Sequence, residues 1–90
     1  MTPPEDVANL LTAIPLGTAK GSAQGKRYIT TRSLFNIGKS TRLVAEERGG
    51  SDYISLNFYD LSKGAQLYPC EMPGAKVIAF QRSFQPDLAS

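Results

Sequence analysis

The first apolar residues of the chain recur with the period of an α-helix. Between residues 7 and 14 they are spaced i, i+3, i+4 and i+7, which places them along one side of a helix. Thr2, Pro3 and Glu5 precede them as an N-cap, a first-turn proline and the second half of a capping box. Because Pro15 cannot continue a helix, we predict a helix over residues 3–14. Its apolar side, predicted to lie in the core, consists of Val7, Leu10, Leu11 and Ile14.

From residue 17 the pattern changes to short runs rich in Thr, Val, Ile, Tyr and Phe, which favour β-strands. Turn-forming residues separate these runs at intervals of about 12 residues, as in consecutive hairpins. The turns fall at Gln24-Gly25, at residues 36–38, at Gly49-Gly50 and at residues 62–64. We predict strands over residues 17–23, 26–35, 39–48, 51–60 and 65–70. The first is rich in Gly and Ala, which favours an edge position.

A second helical pattern follows the strands. Pro73 suits a first turn, and Val77, Phe80 and Phe84 form an apolar stripe. We predict a helix over residues 72–84 and a loose tail over residues 85–90. The fold class is therefore α+β in a single domain of residues 1–90. An N-terminal helix, a five-stranded antiparallel meander over residues 17–70 and a C-terminal helix follow in that order, with both helices on one face of the sheet.

The turn lengths also predict which residues share a face of the sheet. A two-residue turn at Gly49-Gly50 and a four-residue turn at residues 61–64 set two registers, and a three-residue turn at residues 36–38 pairs Phe35 with Lys39. In that arrangement the face under the helices carries Ile29, Thr31, Phe35, Leu43, Ala45, Ile54, Leu56, Phe58 and Leu67. The other face carries all four tyrosines of the chain, and Arg32 lies opposite Arg42 on it. Because like charges in that position repel, the pair favours an anion or a partner carboxylate between them. The alternative is an ordinary solvated face on which Glu46 and Asp60 relieve the repulsion.

Composition excludes most catalytic chemistry. The chain has no His and one Cys, Cys70, so it lacks a His base, a His-ligated metal and an internal disulfide. Gly38-Lys39-Ser40-Thr41 matches only the tail of a phosphate-binding loop, since Ser33 stands where the first Gly is needed. We therefore predict no enzyme activity, no cofactor and no metal. A lone Cys without a signal-like start favours the cytoplasm, and no apolar run suits a membrane span.

The strand order over residues 26–84 resembles the layout of the single-stranded-DNA-binding transcriptional coactivator and whirly-type proteins, in which consecutive antiparallel strands precede a C-terminal helix. The resemblance is one of layout alone, so it implies no functional residue here. The predicted N-terminal helix and the Gly-rich first strand depart from that layout.

The face that the helices leave open is the predicted binding surface. We expect it to bind single-stranded nucleic acid, because Tyr stacks on bases and Arg contacts phosphates. The predicted contact residues are Tyr28, Tyr53, Tyr59 and Tyr68 for stacking, Arg32, Arg42, Lys26 and Arg27 for phosphates, and Asn57 and Gln66 for hydrogen bonds. The alternative is a protein-interaction module, such as an inhibitor or accessory subunit of the phage or host-defence type, which docks an acidic protein surface through the same face. A net charge of +2 favours neither partner, and the oligomeric state stays open.

Overall fold

The fold is α+β, with an antiparallel meander between two helices, as the sequence predicts. The computed structural model describes residues 1–61 and 64–87. Within them the elements are α1 (Val7–Ala13), β1 (Gly17–Ala23), β2 (Lys26–Phe35), β3 (Ser40–Glu47), β4 (Tyr53–Leu61), β5 (Gly64–Pro69), α2 (Gly74–Ser83) and β6 (Gln85–Pro86). The sheet order is β5-β4-β3-β2-β1-β6, so every neighbour except β6 follows its partner directly in sequence.

Helix α1 begins later than its capping signals predict. Asp6 is the N-cap, with helical backbone angles and no side-chain cap. Its carboxylate instead accepts two hydrogen bonds from Arg82 of α2, at 2.9 and 3.0 Å. The predicted Thr2 cap is therefore wrong, because the segment before Val7 forms a turn in which the Val7 amide bonds the carbonyl of Pro4 at 3.2 Å. Helix α2 lies within the predicted range.

Gln85–Pro86 forms a strand of the sheet, which corrects the start of the predicted loose tail. Gln85 pairs with Ser22, and the Asp87 amide donates to the Lys20 carbonyl at 2.9 Å. The outer side of β1 would otherwise present unpaired backbone N–H and C=O groups. The segment that follows α2 forms hydrogen bonds with some of them. β1 is therefore not a free edge along its whole length. The rest of the predicted tail, residues 88–90, lies outside the described residues.

Both helices pack on one face of the sheet, which we call the core face. The buried apolar side chains from the helices are Val7, Leu11, Ile14, Val77, Ile78, Phe80 and Phe84, and those from the sheet are Ala23, Tyr28, Leu43, Ala45, Ile54, Leu56, Phe58 and Leu67. Full burial of one such large apolar side chain contributes about 1.5–3 kcal/mol. The opposite face, which carries no helix in the described residues, is the open face.

The two registers around β4 match the prediction. Leu43 faces Leu56 and Ala45 faces Ile54 between β3 and β4. Asp60 faces Ala65 between β4 and β5. These pairings place consecutive apolar residues of three strands beneath the helices.

The register between β2 and β3 is one residue away from the prediction. Phe35 pairs with Ser40, and the turn contains four residues, Asn36–Lys39, closed by a bond from the Lys39 amide to the Asn36 carbonyl at 3.2 Å. Asn36, Ile37 and Gly38 all have positive φ, of 56°, 55° and 79°. Lys39, predicted as the first residue of a strand, therefore belongs to the turn.

This one-residue shift places each side chain of β2 on the face opposite to the predicted one, since side chains alternate along a strand. Tyr28 and Arg32 lie on the core face and are buried, whereas Ile29 and Phe35 lie on the open face. The prediction that all four tyrosines share the open face is wrong. The core face accepts the two polar side chains because the Tyr28 hydroxyl donates to Asp52 Oδ2 at 2.8 Å and Arg32 Nε donates to the Ile14 carbonyl at 2.7 Å.

Candidate functional site on the open face

The open face retains seven of the ten predicted contact residues. They are Arg27, Arg42, Tyr53, Asn57, Tyr59, Gln66 and Tyr68, placed there by the alternation along β2 to β5. The other three, Lys26, Tyr28 and Arg32, belong to the core-face side of β2. Lys26 Nζ lies 3.9 Å from Asp52 Oδ2. The predicted pair of opposed arginines does not form, because Arg42 lies between Ser33 and Asn57 in the sheet.

Three aromatic side chains meet at one end of this face and form what we call the aromatic cluster: Phe35, Tyr59 and Tyr68. The Phe35 and Tyr59 ring centroids are 5.5 Å apart at 89°, and those of Tyr59 and Tyr68 are 5.4 Å apart at 79°. Ser40 lies between Phe35 and Tyr59 in the register, and its small side chain lets the two rings meet above it. The Ser40 hydroxyl is consequently buried, and no hydrogen-bond partner for it exists among residues 1–61 and 64–87.

The aromatic cluster continues into exposed apolar surface. Tyr59, Leu61 and Tyr68 line a shallow depression of about 380 Å³, and Tyr68 keeps 50% of its surface exposed. Ile37, in the turn that follows β2, is 98% exposed. Sequence reasoning missed Phe35, Leu61 and Ile37, because it placed Phe35 in the core and treated the other two as turn residues. Only the correct turn length would have revealed Phe35.

A cation borders the cluster. Arg42, Asn57, Tyr59 and Phe35 line a second depression, of about 280 Å³, together with Ser33. Within the described part of the chain, Arg42 forms no salt bridge, whereas Arg27 is engaged with Asp87 by two hydrogen bonds. That interaction holds the pKa of Asp87 below its usual value. The cluster therefore adjoins one guanidinium that has no acidic partner in the described residues.

The two remaining polar predictions divide between this site and the far end of the sheet. Gln66 faces Tyr59 in the register and lies beside the cluster. Tyr53 is six residues before Tyr59 on β4, which is about 20 Å along a strand. It instead lies under Lys76, whose Nζ is 5.7 Å from the ring centroid. Tyr53 is therefore on the predicted face but outside the aromatic cluster.

The core face holds a separate polar group at the same far end. Asp52 accepts a hydrogen bond from Tyr28 and another, at 2.7 Å, from Lys76 Nζ. Burial, and then the bond to the Asp52 carboxylate, raise the pKa of Tyr28 to about 12. The hydrogen bond from Lys76 holds the pKa of Asp52 below its usual value. This group ties β2 to α2 through the turn before β4, which is a structural role.

Among the residues that the structure describes, no group of three or more His, Cys, Asp or Glu side chains is placed to hold a metal ion. In the same residues neither helix has the length and apolar character needed to cross a membrane. The comparisons with known proteins identify no relative: no family model, no curated protein and no solved structure matches this chain.

Proposed function

We propose that this protein is a non-catalytic module that binds a partner protein through the aromatic cluster and Arg42. The observation that carries the proposal is the combination of half-exposed aromatic rings with an adjacent guanidinium that forms no salt bridge in the described residues. Tyr and Arg, with other aromatic side chains, dominate the binding energy of protein interfaces. A cluster of this kind supplies an apolar anchor site and a charged contact beside it.

The ring geometry favours a protein over single-stranded nucleic acid. Bases stack on ring faces that lie open and follow the strand in succession. In the aromatic cluster neighbouring rings stand nearly perpendicular, at 89° and 79°, so each ring edge covers part of its neighbour's face. Tyr28 and Arg32, two of the residues predicted to stack and to contact phosphates, are also buried on the other side of the sheet. Nucleic-acid binding stays a prediction, as does a cytoplasmic location.

The surface also indicates the chemistry of the partner. The depression between Tyr59 and Tyr68 has an apolar lining that includes Leu61, so it suits a large apolar side chain. Arg42 suits a carboxylate, because a guanidinium forms paired hydrogen bonds with that group. The partner therefore presents an apolar residue with an Asp or Glu next to it.

Panning a library of random displayed peptides against the purified protein tests the proposal. We expect enrichment of peptides that combine a large apolar residue with Asp or Glu. Binding of an enriched synthetic peptide should weaken about tenfold or more in Tyr68→Ala, and comparably in Arg42→Ala, since truncation of a hot-spot residue costs about 2 kcal/mol or more and about 1.4 kcal/mol is a tenfold change in affinity.

Tyr53→Ala is the matched control, because Tyr53 is a similarly exposed tyrosine on the same face but outside the cluster. It should bind the peptide as the wild type does. No enrichment over a Tyr68→Ala and Arg42→Ala double variant would overturn the proposal. So would binding of a labelled oligothymidine that falls as salt rises and disappears in the same double variant, because that behaviour marks nucleic acid as the ligand.

A further inference from the structure

A groove lies on the core face of the sheet. It lies between α1 and the end of the sheet next to the Asn36–Lys39 turn, and its volume is about 320 Å³. That volume is at the small end of the range of about 300–1,000 Å³ for ligand pockets. The apolar part of the lining comes from Ala8, Leu11, Leu34 and Phe58.

Arg32 supplies the polar centre of this groove. The residue is only 9% exposed. Its Nε donates to the Ile14 carbonyl at 2.7 Å, which fixes the guanidinium at the end of α1. Among the described residues its two terminal nitrogens donate no hydrogen bond, and Arg32 is one of the residues that line the groove. Burial lowers the pKa of Arg32, but a guanidinium stays charged in proteins.

The terminal nitrogens of Arg32 are hydrogen-bond donors that no acceptor in the described residues uses. A carboxylate is the acceptor that suits them best, because charge-assisted bonds between a guanidinium and a carboxylate are shorter and stronger than neutral ones. The other charges in the lining are Lys39 and Asp60, both exposed and of opposite sign. The charges of Lys39 and Asp60 cancel, so the positive charge of Arg32 remains as the net charge of the lining. Thr12 and Thr41 add hydroxyl groups.

We infer that this groove binds a small organic carboxylate, with the carboxylate on the terminal nitrogens of Arg32 and an apolar group against Leu11, Leu34 and Phe58. The mixture of one fixed guanidinium with an apolar lining distinguishes this ligand from inorganic phosphate, which would leave the apolar lining unused. The site lies on the opposite side of the sheet from the aromatic cluster, so it does not depend on the proposed protein partner.

Titration of the ¹⁵N-labelled protein with sodium hexanoate, followed by NMR, tests the inference. We expect saturable shifts at the amides of Thr12, Gly38 and Thr41, which line the groove. Hexanamide, which has the same chain without the charge, should bind about tenfold or more weakly, since hydrogen bonds between charged groups contribute more than neutral ones. Equal effects of the two compounds, shifts that do not saturate, or shifts confined to the open face would overturn the inference.

The same titration identifies the source of the carboxylate. N-acetyl-Ala-Leu with a free carboxyl terminus and its amide form a second pair of probes. Tighter binding of the peptide acid than of hexanoate assigns the groove to a chain terminus, and the reverse order assigns it to a small free acid. Either result supports the inference, provided that the amide binds more weakly.

Arg32→Met removes the charge and keeps an unbranched apolar side chain, and it should lose hexanoate binding. Arg48→Met makes the same change at an exposed arginine outside both sites and should leave hexanoate binding unchanged. If Arg32→Met does not fold, the comparison of hexanoate with hexanamide on the wild-type protein decides the matter alone. Hexanoate binding that persists in a folded Arg32→Met protein would contradict the assignment to Arg32.

Discussion

The core face and the open face belong to the same strands, but they constrain the side chains of those strands differently. On the core face even the polar side chains of β2 are fixed by partners, as the Tyr28 hydroxyl is by Asp52 and Arg32 Nε is by the Ile14 carbonyl. On the open face the aromatic cluster covers a Ser40 hydroxyl that has no partner in the described residues. An unpaired buried hydroxyl is tolerated only where other contacts outweigh its cost. Burial therefore restricts which side chains the core face can hold, whereas most side chains of the open face meet solvent and are less restricted.

The largest expected difference between the faces comes from truncating two adjacent residues of β3. Leu43 is buried on the core face, and Val44 is half-buried on the open face. Leu43→Ala should reduce the free energy of unfolding by about 2–5 kcal/mol, because it leaves a cavity. Val44→Ala should cost about 1 kcal/mol or less, because solvent already reaches the side chain. Urea denaturation of both variants measures the difference, and equal losses would mean that the open face is covered in solution.

A smaller effect should appear at alkaline pH. The pKa of Tyr28 is raised from 10.0 to about 12 in the folded protein, so the unfolded chain releases this proton first. The stabilisation is fully present below pH 10 and is lost as the pH rises towards about 12. Urea midpoints measured across this range for wild type and Tyr28→Phe should therefore converge. Tyr59→Phe, on the open face, is the control and should follow the wild type. A gap between wild type and Tyr28→Phe that stays constant would show that Tyr28 does not titrate late.

The smallest effect should come from the aromatic cluster itself. Tyr68→Ala should change the unfolding free energy by about 0.5 kcal/mol or less, as exposed residues usually do, although we expect the same variant to bind the peptide about tenfold or more weakly. Thermal denaturation followed by circular dichroism measures the stability. A loss as large as that of Leu43→Ala would show that the aromatic cluster is structural and would remove its proposed role.

The sequence predicts the order of elements well, because their signals are local. Turn residues separate the strands, and the register at Gly49-Gly50 follows from loop length. The predicted β2–β3 register is wrong because both sets of alternating positions along β2 contain apolar residues. Ile29 and Phe35 belong to one set, and Tyr28 and Leu34 belong to the other. The pattern alone cannot choose between them. The deciding contacts, to Asp52 and Ile14, come from residues far away in the sequence.

The residues of this turn do not reveal its length. Ile37 has a φ of 55°, a conformation that β-branched residues rarely adopt, so nothing in its chemistry predicts a four-residue turn. The wrong turn length also makes the predicted candidate site wrong along β2. It places Phe35 in the core, and it places Tyr28 and Arg32 on the open face. Tyr59, Tyr68 and Arg42 were placed correctly because the β3–β4 and β4–β5 registers do not pass through that turn.

The Asn36–Lys39 turn also constrains how such a sequence can diverge. A point substitution at an open-face position changes one exposed side chain and leaves the packing beneath the helices intact. Loss or gain of one residue in this turn would reverse the inward and outward positions of β2 relative to β3, burying Ile29 and expelling Tyr28 together. Evolution can therefore vary the open surface residue by residue, while the length of this turn is held by the core.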